Sequence, residues 1–246
     1  MPNWVYGMYA VKGTKQNMLN FLNEGIKNSG YAPKDDCQEA YDFLIANAKR
    51  KTSDFHYTNK DDQGCGTVAD NPAQVYYEDA LSMTTFRTIP DTFRQYDTTN
   101  YEKQMPEIAR KQLEDYGCIG WYDWGLKYLG TKWDTELKDT TLEIDGDTAI
   151  MRFEMQTAWS VPTEWLHWVK QTFDVSVLLY ADEEGGAFCF YGEIDGEDHD
   201  IEDVEVRPNE NDFKSDEDFW EALSEWEDRA KEQMRDDFYN FVENFE

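Results

Sequence analysis

The sequence predicts an α+β protein that ends in a long acidic helix. Three observations carry the prediction. Between residues 135 and 195, short strand-like segments surround one helical stretch in the order β-β-α-β-β. Residues 215–245 repeat aromatic and aliphatic side chains at threes and fours, the spacing of one helix face. The chain also opens on a strand-like aromatic run followed by helical spacing.

The elements follow in order. Trp4 to Val11 is apolar or aromatic on both alternating sets, as in a strand buried on both faces. Lys15 to Asn28 carries Met18, Leu19, Leu22 and Ile26 on one helical face, with Gly30 as a stop. A second helix is expected from about Asp36 to Arg50, capped by Asp35 or Asp36. Residues 51–74 have no periodicity and read as a long polar loop. Its His56, Asp61, Asp62 and Cys65 have no metal-ligand spacing. Leu81 to Ile89 alternates as a strand, ended by Pro90. Tyr101 to Tyr116 reads as a helix with Ile108 and Leu113 inward, and Trp121 to Leu129 as a shorter one.

Leu137–Ile144 and Ala149–Thr157 form a hairpin around Asp145-Gly146-Asp147, because Asp-Gly suits the positive φ of a tight turn. Ser160 or Thr163 is the expected cap of a helix bearing Trp165, Leu166, Trp168 and Val169, with Pro162 in its first turn. Strands Val175–Tyr180 and Ala187–Ile194 follow. Ser215 with Asp218 resembles a capping box at the start of the last helix. Phe219, Leu223, Trp226, Ala230, Met234, Phe238, Phe241 and Phe245 form that helix's apolar stripe. Three regions result: 1–130, 131–205 and 206–246.

Composition narrows the function classes. Over 246 residues there are 23 Lys+Arg against 52 Asp+Glu, a net charge of −29. The imbalance is one-sided: −4 over residues 1–120 and −25 from 121 onward. A broad electrostatic footprint on nucleic acid or anionic lipid needs basic patches, so neither direct partner is expected. Salt adaptation would spread the acid over the whole chain. Cys37, Cys65, Cys118 and Cys189 lack any Cys-x-x-Cys pair, which argues against a disulfide framework or a structural zinc site. No apolar run is long enough to span a bilayer and no charged-then-apolar leader opens the chain, so a cytoplasmic location is expected.

Four segments together resemble the YubB-like family of plasmid and phage proteins: Met1-Pro2-Asn3-Trp4, Phe86-Arg87-Thr88-Ile89-Pro90, Trp121 to Asp134, and Phe153 to Pro162. In that family a Trp-Tyr-x-Trp…Trp-Gly-Thr-Lys-Trp element leads into a ferredoxin-like domain with a Thr-x-Trp-Ser-x-Pro helix start. Leu129 stands where the family usually has Trp, and the acidic stretch beyond 195 has no counterpart. The resemblance covers roughly residues 1–195. It implies a ferredoxin-like antiparallel sheet with packed helices over 131–205, a mobile-element origin and hence a bacterial host cell. It implies no activity and no catalytic residues.

No chemistry converges in the sequence. His56, His167 and His199 are scattered, and no phosphate-binding or nucleophile motif occurs, so neither an enzyme nor a cofactor is expected. Aligned as a calcium loop from Asp195, the chain has Asp200 where Gly is required and Val206 where Glu is required. Trp121, Trp124 and Trp133 have the composition of a stacking platform, but the helical spacing of the first two favours packing. Lys132 has no neighbour that would make it reactive.

The acidic surface is the stronger signal. Its candidate residues are Asp182, Glu183, Glu184, Asp195, Glu197, Asp198, Asp200, Glu202 and Asp203, then Glu217, Glu221, Glu225, Asp228, Glu232 and Asp236 on the last helix. The leading reading is a phage- or plasmid-type inhibitor that mimics DNA and blocks the basic nucleic-acid-binding surface of a host defence protein. The alternatives are a non-catalytic adaptor using the aromatic stripe of the last helix, and an enzyme using carboxylates with a divalent metal.

Overall fold

The computed structural model describes residues 3–28, 81–94, 106–204 and 206–245. The expected helix at 36–50 and the loop at 51–74, with His56, Asp61, Asp62 and Cys65, lie outside the described residues. Six strands form one antiparallel sheet: β1 (Trp4–Thr14), β2 (Lys138–Asp145), β3 (Thr148–Ala158), β4 (Ser176–Glu183), β5 (Cys189–Glu193) and β6 (Asp198–Asp200), in the order β2-β3-β1-β4-β5-β6. The helices are α1 (Lys15–Asn28), α2 (Met83–Phe86), α3 (Asp91–Arg94), α4 (Pro106–Tyr116), α5 (Gly120–Tyr128), α6 (Thr163–Phe173) and α7 (Asp216–Asn244).

The first four strands in that order are ferredoxin-like. Strand β1 and helix α1 lead to the β2–β3 hairpin, and α6 returns the chain to β4 beside β1. Residues 131–205 therefore build a sheet whose central strand comes from residues 4–14. That placement accounts for the two-sided apolar pattern of β1. It pairs antiparallel with both β3 and β4, so Tyr9 lies opposite Phe153 on one side and Leu179 on the other. Alternation then sorts the core. Val5, Tyr9 and Val11 face one layer with Met151, Phe153, Val177 and Leu179, while Ala10 faces the other with Leu178 and Tyr180.

The first layer is covered by α1, α2 and α6. Phe21 stacks on Phe86 at 4.4 Å, Phe86 meets Trp165 edge-on at 5.9 Å, and the Trp165 indole donates to the Met83 carbonyl at 3.1 Å. The second layer is covered by α7 over β4 and β5. Beyond it the same sheet face, among the described residues, carries a hollow over β2 and β3 lined by Lys12, Glu143, Ile150, Arg152 and Glu243.

Several local expectations are corrected. The strand expected at Leu81–Ile89 is the short helix α2, preceded by an isolated bridge from Ser82 to Glu136. Asp134 explains the change. Its carboxylate accepts from Ser82 Oγ (2.9 Å), from the Thr84 N–H (3.1 Å), from the Thr84 hydroxyl and from the Thr135 N–H (2.9 Å). A polar anchor fifty residues away thus bends a β-branched segment into a helical turn. The cap of α6 is Pro162. Ser160 instead donates its hydroxyl to the Gly130 carbonyl at 2.7 Å, and Thr163 to Val161 at 3.2 Å. On α4, Leu113 is 52% exposed and the inward position belongs to Gln112, which bonds Thr92 and the Gly120 N–H. Strand β6 was not anticipated; its Asp198 and Asp200 fall in the stretch that fails the calcium-loop alignment.

Candidate partner-binding surface

Helix α7 sets out most of the candidate carboxylates. Ser215 caps it by accepting the Asp218 N–H at 3.2 Å, and Asp216, Glu217 and Asp218 lie at the positive end of its dipole. Leu223, Trp226, Ala230, Met234, Phe238 and Val242 are buried, so the apolar stripe is as expected in its middle, while Phe219 at its start and Phe241 and Phe245 at its end are half-buried and Val242 takes the inward place there. The stripe rests on this chain's own sheet, where Met234 and Phe238 pack with Tyr180 and Cys189. An adaptor that used it would first have to lift α7 away. With the stripe turned inward, Glu217, Glu221, Glu225, Asp228, Glu232 and Asp236 are all exposed.

A polar clamp fixes the helix rotationally. Lys231 Nζ lies 2.9 Å from Asp182 and Arg235 lies 3.9 Å from it, with the Arg235 guanidinium over the Tyr180 ring at 5.8 Å. Burial pushes the Lys231 ammonium down, but the Asp182 carboxylate beside it outweighs this, leaving the pKa raised. Two of the three cations of α7 thereby turn toward Asp182, Lys231 largely covered and Arg235 still half exposed. The third, Arg229, approaches Glu225 at 3.8 Å.

This corrects two candidate residues. Asp182 is only 9% exposed and Glu183 only 3%, so neither belongs to an acidic surface. Asp182 is the inner half of the clamp. Glu183 accepts the Ala187 N–H at 3.0 Å, and that bond holds its carboxyl below the ordinary range. Both sit at the end of a strand buried along almost its whole length, a pattern that charge counting overlooks. Glu184 is exposed and accepts the Trp4 N–H at 3.2 Å.

Asp195, Glu197, Asp198, Asp200 and Asp203 are exposed around β6 and the turn Ile201–Asp203, which touches α7; the Glu202 side chain lies outside the described residues. Asp195, in a left-handed conformation (φ 63°), is partly engaged, 3.1 Å from His167 Nδ1 and 3.8 Å from Lys170 Nζ. Among the described residues no group of three or more His, Cys, Asp or Glu is placed to hold a metal ion.

The aromatic residues assemble differently from the Trp121, Trp124 and Trp133 set. Trp124 is core, packed on Phe93 and Tyr128, and Trp121 is half-buried against the same core and meets Tyr122 edge-on. Trp133 instead joins Trp4 at 5.8 Å and stacks on Trp159 at 6.2 Å, 30° from parallel. The Lys132 ammonium lies 4.6 Å from the Trp133 ring centre, 4.8 Å from that of Trp159 and 5.7 Å from that of Tyr122. These rings form a cage around a cation. Two features of it are costly, each by about 1–3 kcal/mol. Trp159 is held at φ 67°, a region bulky residues avoid, and the Trp133 indole N–H is buried with no acceptor among the described residues. Trp159 is nevertheless 47% exposed. The only sequence signal was its place in Thr157-Ala158-Trp159-Ser160-Val161-Pro162, between a strand and a helix start.

No family model matches the chain, and no curated protein matches it. Among solved structures it is similar to the protein api92 from Yersinia pseudotuberculosis, of family DUF1281. The TM-score is 0.36 at 10% identity, over 85% of this chain and 100% of that one, a likeness that carries no argument about fold or function. Among the described residues no helix is long and apolar enough to cross a membrane.

Proposed function

We propose that this protein is an acidic mimic of DNA that occupies the basic nucleic-acid-binding surface of another protein and keeps DNA out by steric and electrostatic competition. The observation that carries the reading is the outward face of α7. Glu217, Glu221, Glu225, Asp228, Glu232 and Asp236 stand exposed on a helix whose rotation the buried stripe and the Asp182 clamp fix. They run about 29 Å at 1.5 Å per residue. One DNA strand presents about nine phosphates over that length, so six carboxylates approach its charge density. Like charges four apart cost a few tenths of a kcal/mol per pair, so the helix carries them against its own stability. The exposed acids around β6 extend the charge beside α7.

The resemblance to plasmid and phage proteins supports a target in host defence, a restriction enzyme or a CRISPR effector. The reading calls for no catalytic group and no cofactor. The test is competition: purified nuclease of that kind is titrated with this protein against labelled DNA over a range of salt. Displacement that weakens steeply with salt, and weakens again when the six carboxylates become amides, is expected. A ternary complex containing DNA, or binding indifferent to salt, overturns the reading.

A further inference from the structure

The cage of Tyr122, Trp133 and Trp159 shares no residue with the acidic helix. Among the described residues no carboxylate pairs with Lys132, although the chain has 52 Asp+Glu and Lys170, Lys231, Arg152 and Arg235 each have an acidic partner. This ammonium is held by ring faces. Trp159 is the exposed wall, with Tyr122 beside it, while Trp133 is braced from behind by Trp4. The backbone holding Trp159 outward is fixed by its N–H donating to the Asn3 carbonyl at 2.9 Å.

We propose that this cage is a binding site for a guanidinium group, an arginine side chain of the protein's partner, and that Lys132 is its resident stand-in. An ammonium is strongly hydrated, and without a carboxylate it recovers little of what it loses on leaving water. A guanidinium is weakly hydrated, planar and stacks on aromatic faces, so the same rings hold it better. Lys132 has a flexible stem that swings aside. The partner's cation then rests on Trp159 and Trp133, with the acidic field of the chain drawing it in. The inference deepens the reading of a basic partner and rests on it: the acids bring such a surface close, and the cage selects an arginine on it.

The test uses the full chain and a capped Gly-Arg-Gly tripeptide, with its citrulline counterpart as neutral control, at about 0.5 M salt to screen the acidic surface. Indole N–H signals of Trp133 and Trp159 are identified by their loss in the Trp133→Phe and Trp159→Phe variants. The arginine peptide is expected to shift both signals and the citrulline peptide neither. Lys132→Ala removes the incumbent and tightens binding about five-fold. Trp159→Gly suits φ 67° and abolishes binding while the remaining amide spectrum stays folded. Absence of a shift in both wild type and Lys132→Ala, an equal shift with citrulline, or binding retained in Trp159→Gly each overturns the site. Amide replacement of the six helix carboxylates leaves tripeptide binding intact at this salt. Failure of the decoy competition and failure of the cage are thereby read separately.

Discussion

Asp134, half-buried, ties α2 to the segment that leads into β2. It accepts four hydrogen bonds, all of which favour the anion, yet burial outweighs them and lifts its pKa to about 6 from 3.8. The raised value means that the folded protein holds this proton more tightly than the unfolded chain. Its contribution is therefore complete below about pH 4 and is lost as pH rises through about 6, up to about 3 kcal/mol. Asp134→Asn keeps the volume, loses an acceptor and does not titrate. Denaturant unfolding of both proteins between pH 4 and 7 should show the wild type's advantage shrinking as pH rises; a constant difference would mean that the carboxyl is not perturbed. None of this was legible in the sequence, because Asp134 reads there as one more turn residue after Lys132-Trp133. Trp159 escaped for a related reason: its significance is a backbone angle and two distant neighbours, Trp133 and Asn3.

At the scale of the element, α7 separates readily into two faces. Phe238→Ala empties a buried position against Tyr180 and should cost about 3–5 kcal/mol; Trp220→Ala, at a side chain 63% exposed, should stay within about 0.5 kcal/mol. Thermal unfolding of the two variants measures the contrast. Equal effects would mean that the helix is not seated as described. This helix was legible because one period runs uninterrupted through it and Ser215 marks its start. The hairpin at Asp145-Gly146 was legible too, since Gly146 takes the positive φ (59°) that the pair announces. Helix α2 was not, because Thr84 and Thr85 carry strand propensity that a remote carboxylate overrides. Glu183 and Asp182 were misread as surface because a buried strand ending in acids looks, residue by residue, like an acidic loop.

For the whole molecule, charge acts against compactness. A net −29 concentrated in the second half places like charges on α7 beside those around β6, so added salt should stabilise the fold. Raising salt from about 0.05 to 0.5 M is expected to raise the melting temperature by a few degrees. A fall would mean that the Asp182 clamp and similar pairs outweigh the repulsion. The α+β class was visible from the order of periods. The strand order was not, because the partners of β1 lie far along the chain.

The separation of β1 from its partners along the chain matters during synthesis. Strand β1 is made first, yet β3 and β4, which pair with its two edges, are complete only when Glu183 is. At typical ribosomal rates the aromatic strand waits on the order of ten to thirty seconds for its second neighbour. The Ala10, Leu178 and Tyr180 side of the sheet waits longer still, for α7. Until α7 is made, the nascent chain therefore carries that apolar side of the sheet without the helix that packs on it.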